Sequence, residues 1–256
     1  MTERVDAVLS VERVSKRFGG VQALQGVDLE VRRGEAVGVI GPNGSGKTTL
    51  VNVITGFVSP DRGRVLFRGV DVTGLPVDVR VNLGMARSFQ TPRPFYRLPA
   101  SRNLVIPLCS SRARERLGTG WGRREEVALD LLEEVGFERD APAVAKPAAE
   151  LPHGYLKRLE LARCLALDPE VLLLDELFSG MSPAETASLI PLLTRLRDEG
   201  RSLVLVEHRL AELFQVVDRV VVLDFGRKIA EGRPAEVMAS EEVRRAYLGQ
   251  EVAGLA

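Results

Sequence analysis

The stretch Glu35 to Phe57, "EAVGVIGPNGSGKTTLVNVITGF", decides the fold of this chain. Its opening, "EAVGVIG", is a short apolar run of the kind that fills a strand buried on both faces, which points to a parallel sheet. Gly41 to Thr48, "GPNGSGKT", fits the pattern G-x-x-x-x-G-K-[ST], and "TTLVNVIT" continues as a helix closed by Gly56 at its C-terminal end. Strand, glycine-rich loop and helix in that order make an anion cradle. The glycines let backbone N–H groups wrap the phosphates of a nucleotide, Lys47 reaches the β and γ phosphates, and the Thr48 hydroxyl is placed for Mg²⁺ at a helix start whose dipole favours negative charge. The candidate nucleotide contacts are therefore Gly41, Pro42, Asn43, Gly44, Ser45, Gly46, Lys47, Thr48 and Thr49.

Outward from this unit, Val8 to Val31 reads as antiparallel strands around the turn "RFGG", with Val27, Leu29 and Val31 on one face, and "GRVLFRG" as a second hairpin. Between Thr91 and Leu167 the pattern changes. Prolines at 92, 94, 99 and 107 precede an amphipathic stretch carrying Val127, Leu131, Leu132 and Val135, ended by Gly136, which predicts a helical insert. The α/β rhythm then resumes with the strand "VLLLDE", a helix around "AETASLIPLLTRLRDEG", the strand "SLVLVEH", a further helix and the hairpin "RVVVLDFGRKIAEG". Pro191 inside the first of those helices predicts a kink or a restart. The expected organisation is one α/β domain over 1–256, with a nucleotide-binding core at 1–90 and 168–256 and a helical subdomain at 91–167.

"VLLLDE" delivers Asp175 and Glu176 to the C-terminal end of a buried strand, where ligands bind in open parallel sheets. Asp175 is placed to hold Mg²⁺ through water, and Glu176 to orient and polarise an attacking water. An acidic pair at a strand end is by itself more often a loop start or a helix cap; the phosphate loop upstream reverses that preference. His208 closes the apolar strand "SLVLVEH" and is a candidate γ-phosphate contact, and Gln90, closing "MARSFQ", is a candidate bridge from Mg²⁺ or water to the helical insert.

Composition narrows the function classes further. Thirty-five basic residues balance 35 acidic ones among 256, so overall charge gives no reason to expect nucleic acid or an anionic lipid surface as partner. Cys109 and Cys164 are too far apart in sequence for a CxxC pair, Cys164 follows a buried helical pattern, and a reducing cytoplasmic compartment fits. "MTERVDAV" lacks the regions of a signal peptide, and no apolar run approaches the ~20 residues a spanning helix needs.

Taken together, the motifs resemble those of the ATP-binding cassette (ABC) ATPases that drive membrane transport, over essentially the whole chain. The matching pieces, in family order, are the loop Gly41 to Thr48, the Q-loop glutamine Gln90, the signature region "LPHGY", the Walker B strand ending in Asp175 and Glu176, the D-loop "SGMSP" and the switch histidine His208. The resemblance implies that ATP, with Mg²⁺ held by Thr48, Gln90 and Asp175, is hydrolysed with Glu176, His208 and Gln90 in catalytic roles. It implies that Phe18 stacks on adenine, although a lone aromatic there could equally be β-layer core. It also implies a second ATPase subunit whose nucleotide is met by Leu151 and Gly154, membrane permease subunits, a solute-binding protein acting indirectly, and a place on the inner face of the cell membrane.

Within that family, "KRFGGVQAL", "ARSFQTPRPF", "RLELARCLALDPEVLLLDE" and the tail "RRAYLG" are similar to the ATPases of branched-chain amino acid importers. The alternatives are a lipopolysaccharide-type export ATPase and a nucleotide-binding regulatory subunit with weak turnover. Three departures stand out. The usual Leu-Ser-Gly-Gly-Gln signature is Leu151-Pro152-His153-Gly154-Tyr155, Leu177 replaces a proline after the glutamate, and Ser182 replaces the D-loop aspartate. A missing serine hydroxyl removes a hydrogen bond to a charged oxygen, worth ~1.5–3 kcal/mol.

Overall fold

The computed structural model describes residues 7–117 and 120–253. Strands β1 (Ala7–Phe18) and β2 (Val21–Arg32) form the expected antiparallel hairpin. Along β2 the residues alternate as the sequence requires: Val27, Leu29 and Val31 are buried while Asp28 and Glu30 face solvent. Next come the buried strand β3 (Ala36–Ile40), helix α1 (Lys47–Thr55) and the hairpin of β4 (Arg62–Phe67) and β5 (Val70–Asp71). This hairpin completes a four-stranded antiparallel layer ordered β2-β1-β4-β5.

Helix α2 (Val77–Leu83) and strand β6 (Met85–Arg87) lead into the helical part. Its helices are α3 (Ala100–Val105), α4 (Ser111–Leu117), α5 (Trp121–Glu134), α6 (Pro142–Ala145) and α7 (His153–Leu165), all within the stretch where an insert is expected. Strand β7 (Val171–Asp175), helix α8 (Pro183–Asp198), strand β8 (Ser202–Val206) and helix α9 (Leu210–Leu213) follow. Strands β9 (Arg219–Asp224) and β10 (Arg227–Gly232) and helices α10 (Pro234–Ala239) and α11 (Glu241–Ala253) finish the chain.

The second sheet is ordered β10-β9-β3-β8-β7-β6, parallel except for β10, which pairs antiparallel with β9. Each central strand is apolar on both faces, and period-two alternation sorts its residues between two cores. Val37, Val39, Val171, Leu173, Val204 and Val206 face the antiparallel layer and α1. Ala36, Ile40, Leu172, Leu174, Leu203 and Leu205 face α7, α8 and the helical part, whose Leu132, Phe137 and Leu151 belong to the same apolar cluster. The helical part thus shares a continuous core with the sheet.

Helix α8 runs unbroken through Pro191, so the restart is not observed. A capping box at its start, with Ser182 Oγ accepting from Glu185 N and Glu185 from Ser182 N, and buried Leu189, Leu192, Leu193 and Leu196 offset the one backbone hydrogen bond that proline removes.

Candidate functional site

Sheet order gathers the motifs. The phosphate loop leaves β3, His208 follows β8, Asp175 ends β7 and Gln90 follows β6, and these four strands are consecutive neighbours in the sheet. All four are parallel, so their C-terminal ends open on one edge.

The loop from Gly41 to Gly46 is shaped by positions where only glycine fits. Gly41 has φ +146°, and a Cβ there would lie 2.0 Å from the Leu223 carbonyl oxygen; Gly46 has φ +106°, and a Cβ would lie 2.5 Å from the Ala23 carbonyl oxygen. Lys47 is buried, and its Nζ donates to the carbonyls of Gly41 (2.7 Å) and Pro42 (2.8 Å), so its ammonium is curled into the loop. Burial pushes the Lys47 pKa down, against the nearby Glu176 and Asp175 carboxylates, which hold it up. The Ser45 hydroxyl is buried without a protein partner. Thr48 is exposed and Thr49 half-buried at the start of α1.

Glu176 sits beyond β7 with φ +50°, a left-handed conformation that a non-glycine residue adopts at a cost and that clusters at functional sites. Its backbone is pinned by N–H donation to the Val206 carbonyl at 2.8 Å. Its Oε1 lies 3.1 Å from His208 Nε2, and its Oε2 accepts from Gln90 Nε2 at 2.8 Å. The three residues read from the sequence as catalytic candidates therefore meet around one carboxylate. Asp175 is almost fully buried, and burial pushes its pKa up against the pull of Arg87. Arg87 occupies Oδ2 at 3.0 Å, while Oδ1 is buried with no partner.

The orphaned Asp175 oxygen, the Thr48 hydroxyl and the Gln90 amide oxygen are each donors of the kind a hard divalent cation takes alongside phosphate and water, so the residues present fit such an ion. Among the described residues no group of three His, Cys, Asp or Glu side chains is placed to hold a metal by itself.

Among the described residues, the buried charges at this edge of the sheet include three that the motifs do not announce. Arg87 lies inside an apolar run, where a charge reads as the outward face of a strand. Lys157, one helical turn into "HGYLKRL", donates to the carbonyls of Gln90 (2.6 Å) and Glu176 (2.7 Å), tying the two segments together. Glu207 was overshadowed by its neighbour His208; its Oε1 accepts from Phe178 N at 2.8 Å, just past Glu176.

Burial pushes the Glu207 pKa up to about 7, from an ordinary 4.5. Between those values the folded chain keeps a proton that the unfolded chain has lost, so stability falls as pH rises through this window, by ~3 kcal/mol in all. Glu207→Gln, whose amide oxygen still accepts from Phe178, is expected to remove most of that fall. Chemical denaturation at about pH 5 and about pH 8 checks it, and an undiminished pH dependence in the variant would contradict the assignment.

The signature segment lies apart from the phosphate loop and packs on its own D-loop. Pro152 caps α7 and offers no side-chain hydrogen bond. His153 Nε2 is 3.3 Å from the Ser179 carbonyl oxygen, and a Cβ on Gly154 would lie 2.0 Å from Glu185 Oε1. Leu151 buries its side chain in the helical core, and Tyr155 stacks edge-on against Phe137 with centroids 4.8 Å apart. Phe18 is 48% exposed beside Lys16 Nζ, which settles against its being core. Cys164 is buried, as its helical pattern implied.

Known proteins with this arrangement match along the chain. The family model described as ABC transporter matches residues 24–179, and that described as branched-chain amino acid ATP-binding cassette transporter matches residues 227–253. The high-affinity branched-chain amino acid transport ATP-binding proteins LivG of Escherichia coli (strain K12) and BraF of Pseudomonas aeruginosa are each 35% identical, over 95% of this chain and 98% of theirs. Among solved structures, the ADP conformation of an ATP-binding cassette superposes with TM-score 0.82 and 31% identity, covering 95% of this chain and 99% of that one. A dimeric cassette in a post-hydrolysis state bound to ADP and Pi superposes with TM-score 0.80 and 25% identity, covering 88% and 98%.

Proposed function

This chain belongs to the ABC transporter family of ATPases, and from that premise we propose that it is the ATP-hydrolysing subunit of an importer for branched-chain amino acids. The observation that carries the solute is the near full-length likeness to LivG and BraF, joined to the match at 227–253. The named relatives give no support to a lipopolysaccharide exporter. A regulatory subunit with weak turnover is disfavoured by a complete set of Gln90, Glu176 and His208 around one carboxylate.

In this reading the loop N–H groups and Lys47 hold the triphosphate, and Lys47 Nζ exchanges the Gly41 and Pro42 carbonyls for β and γ phosphate oxygens. Thr48, Gln90 and Asp175 would hold Mg²⁺, which when bound would supply positive charge against the phosphate oxygens. Glu176 takes the proton of the water that attacks the γ phosphorus, the bond to the β,γ-bridging oxygen breaks, and ADP and phosphate leave. His208 and Gln90 hold the carboxylate in line. The adenine falls to Phe18, on the hairpin whose Ala23 closely approaches Gly46.

A second cassette supplies the opposite signature, a reading supported by a similar cassette that is dimeric with ADP and Pi bound. The helical part at 91–167 meets the permease, beside a 190 Å³ groove lined by Phe57, Arg87, Phe89 and Arg163. Among the described residues no helix is long and apolar enough to cross a membrane, so attachment to the inner face of the cell membrane falls to the permease, with a solute-binding protein acting through it. Phosphate release by the assembled transporter tests the reading: it should rise when the binding protein is loaded with leucine, isoleucine or valine, and indifference to all three would remove the solute assignment.

The signature offers a separate test. Pro152→Ser should add a hydroxyl at the N-cap of α7, raising stability by ~1 kcal/mol and ATP turnover at the partner's nucleotide by about 10-fold. Thermal unfolding and phosphate release read the two effects; a stabilised variant with unchanged turnover would mean that this helix end does not meet the second nucleotide.

A further inference from the structure

Arg87 is buried between the phosphate-loop helix and the end of β7. Its Nη2 donates to Asp175 Oδ2 at 3.0 Å, and its Nη1 donates to Asn52 Oδ1 on α1 at 2.5 Å and lies 3.4 Å from Thr55 Oγ1. The guanidinium also sits against two rings, 5.4 Å from the Phe57 centroid and 4.9 Å from the Phe89 centroid, and these rings meet edge to face at 5.6 Å. One side of the cation is thus fixed by aromatic faces and the other by a carboxylate. The consequence lies in the remaining oxygen: with Oδ2 engaged, the carboxylate cannot rotate freely, and Oδ1, buried and unpartnered, is the oxygen presented.

We propose that Arg87 is a positioning residue for the metal, fixing the Asp175 carboxylate so that Oδ1 faces the metal-bearing phosphates, with Phe57 and Phe89 holding the guanidinium in place. The proposal rests on the reading of Asp175 as a metal-facing carboxylate. A purely structural arginine would matter equally with and without metal, whereas a positioning arginine matters only when metal is present.

The whole chain is titrated with a non-hydrolysable ATP analogue, first in EDTA and then at graded Mg²⁺ concentrations. Arg87→Gln should leave affinity in EDTA unchanged and reduce the gain in affinity that Mg²⁺ brings by about 10-fold. Arg87→Lys, which keeps the charge without the fork, should recover part of that gain. Phe57→Leu, at a half-exposed ring, should reduce it about 2-fold to 5-fold, and it carries the test if Arg87→Gln does not fold. Full Mg²⁺ dependence in both Arg87→Gln and Phe57→Leu, or an equal loss with and without metal, overturns the proposal. Asp175→Asn separates the two levels. If that variant keeps its Mg²⁺ dependence, the reading of Asp175 falls; if it loses it while the Arg87 and Phe57 variants do not, only the role of Arg87 falls.

Discussion

Glu176→Gln is expected to slow ATP hydrolysis by about 10²–10⁴-fold, the usual worth of a positioned general base, while ATP binding is retained. The carboxylate has two oxygens and two side-chain partners, His208 on Oε1 and Gln90 on Oε2. An amide fills the same space but accepts through one oxygen only, and it cannot take a proton from water. The backbone fixing Glu176, through Val206 and Lys157, does not depend on the side chain, so the segment should keep its shape. Nucleotide held without turnover should then accumulate the ATP-bound dimer. Light scattering with and without ATP, together with phosphate release, reads both effects. Hydrolysis at the unmodified rate would move the base elsewhere.

Lys47→Ala is expected to weaken MgATP binding by about 100-fold or more, through the loss of charge-assisted hydrogen bonds to two phosphates. Two effects oppose. The bound state loses its ammonium contact, while the free loop loses the bonds that close the Gly41 and Pro42 carbonyls around Nζ and that nucleotide would otherwise have to displace. Calorimetric titration with MgATP measures the difference, and an unchanged affinity would remove the phosphate-loop assignment. Thermal unfolding of the nucleotide-free variant separates the loop's own loss from the ligand's.

The local parts of the site were legible because their chemistry is local. "GPNGSGKT" needs its glycines at fixed positions within one turn of chain, and "VLLLDE" announces both a buried strand and the acids at its end. Even Gln90 and His208 could be placed, since each closes an apolar run. The Arg87–Asp175 pair was not legible: its members lie 88 residues apart and become neighbours only because β6 pairs with β7. Lys157 and Glu207 were hidden for a related reason, since a charge in an amphipathic helix or beside a strand end reads as solvated until the packing shows it buried. Pro191 points locally to a kink or a restart, and the restart is overridden by the cap at Ser182 and the buried leucines.

The central claim, that ATP hydrolysis by this chain drives import of a branched-chain amino acid, is tested most directly in vesicles holding the assembled transporter. Uptake of labelled leucine and release of phosphate are followed in the same sample, for the wild-type chain and for Glu176→Gln. Uptake is expected to require ATP and loaded binding protein, and both signals are expected to fall together in the variant. Phosphate release that proceeds unchanged in Glu176→Gln, or hydrolysis that never moves leucine, isoleucine or valine, would contradict it.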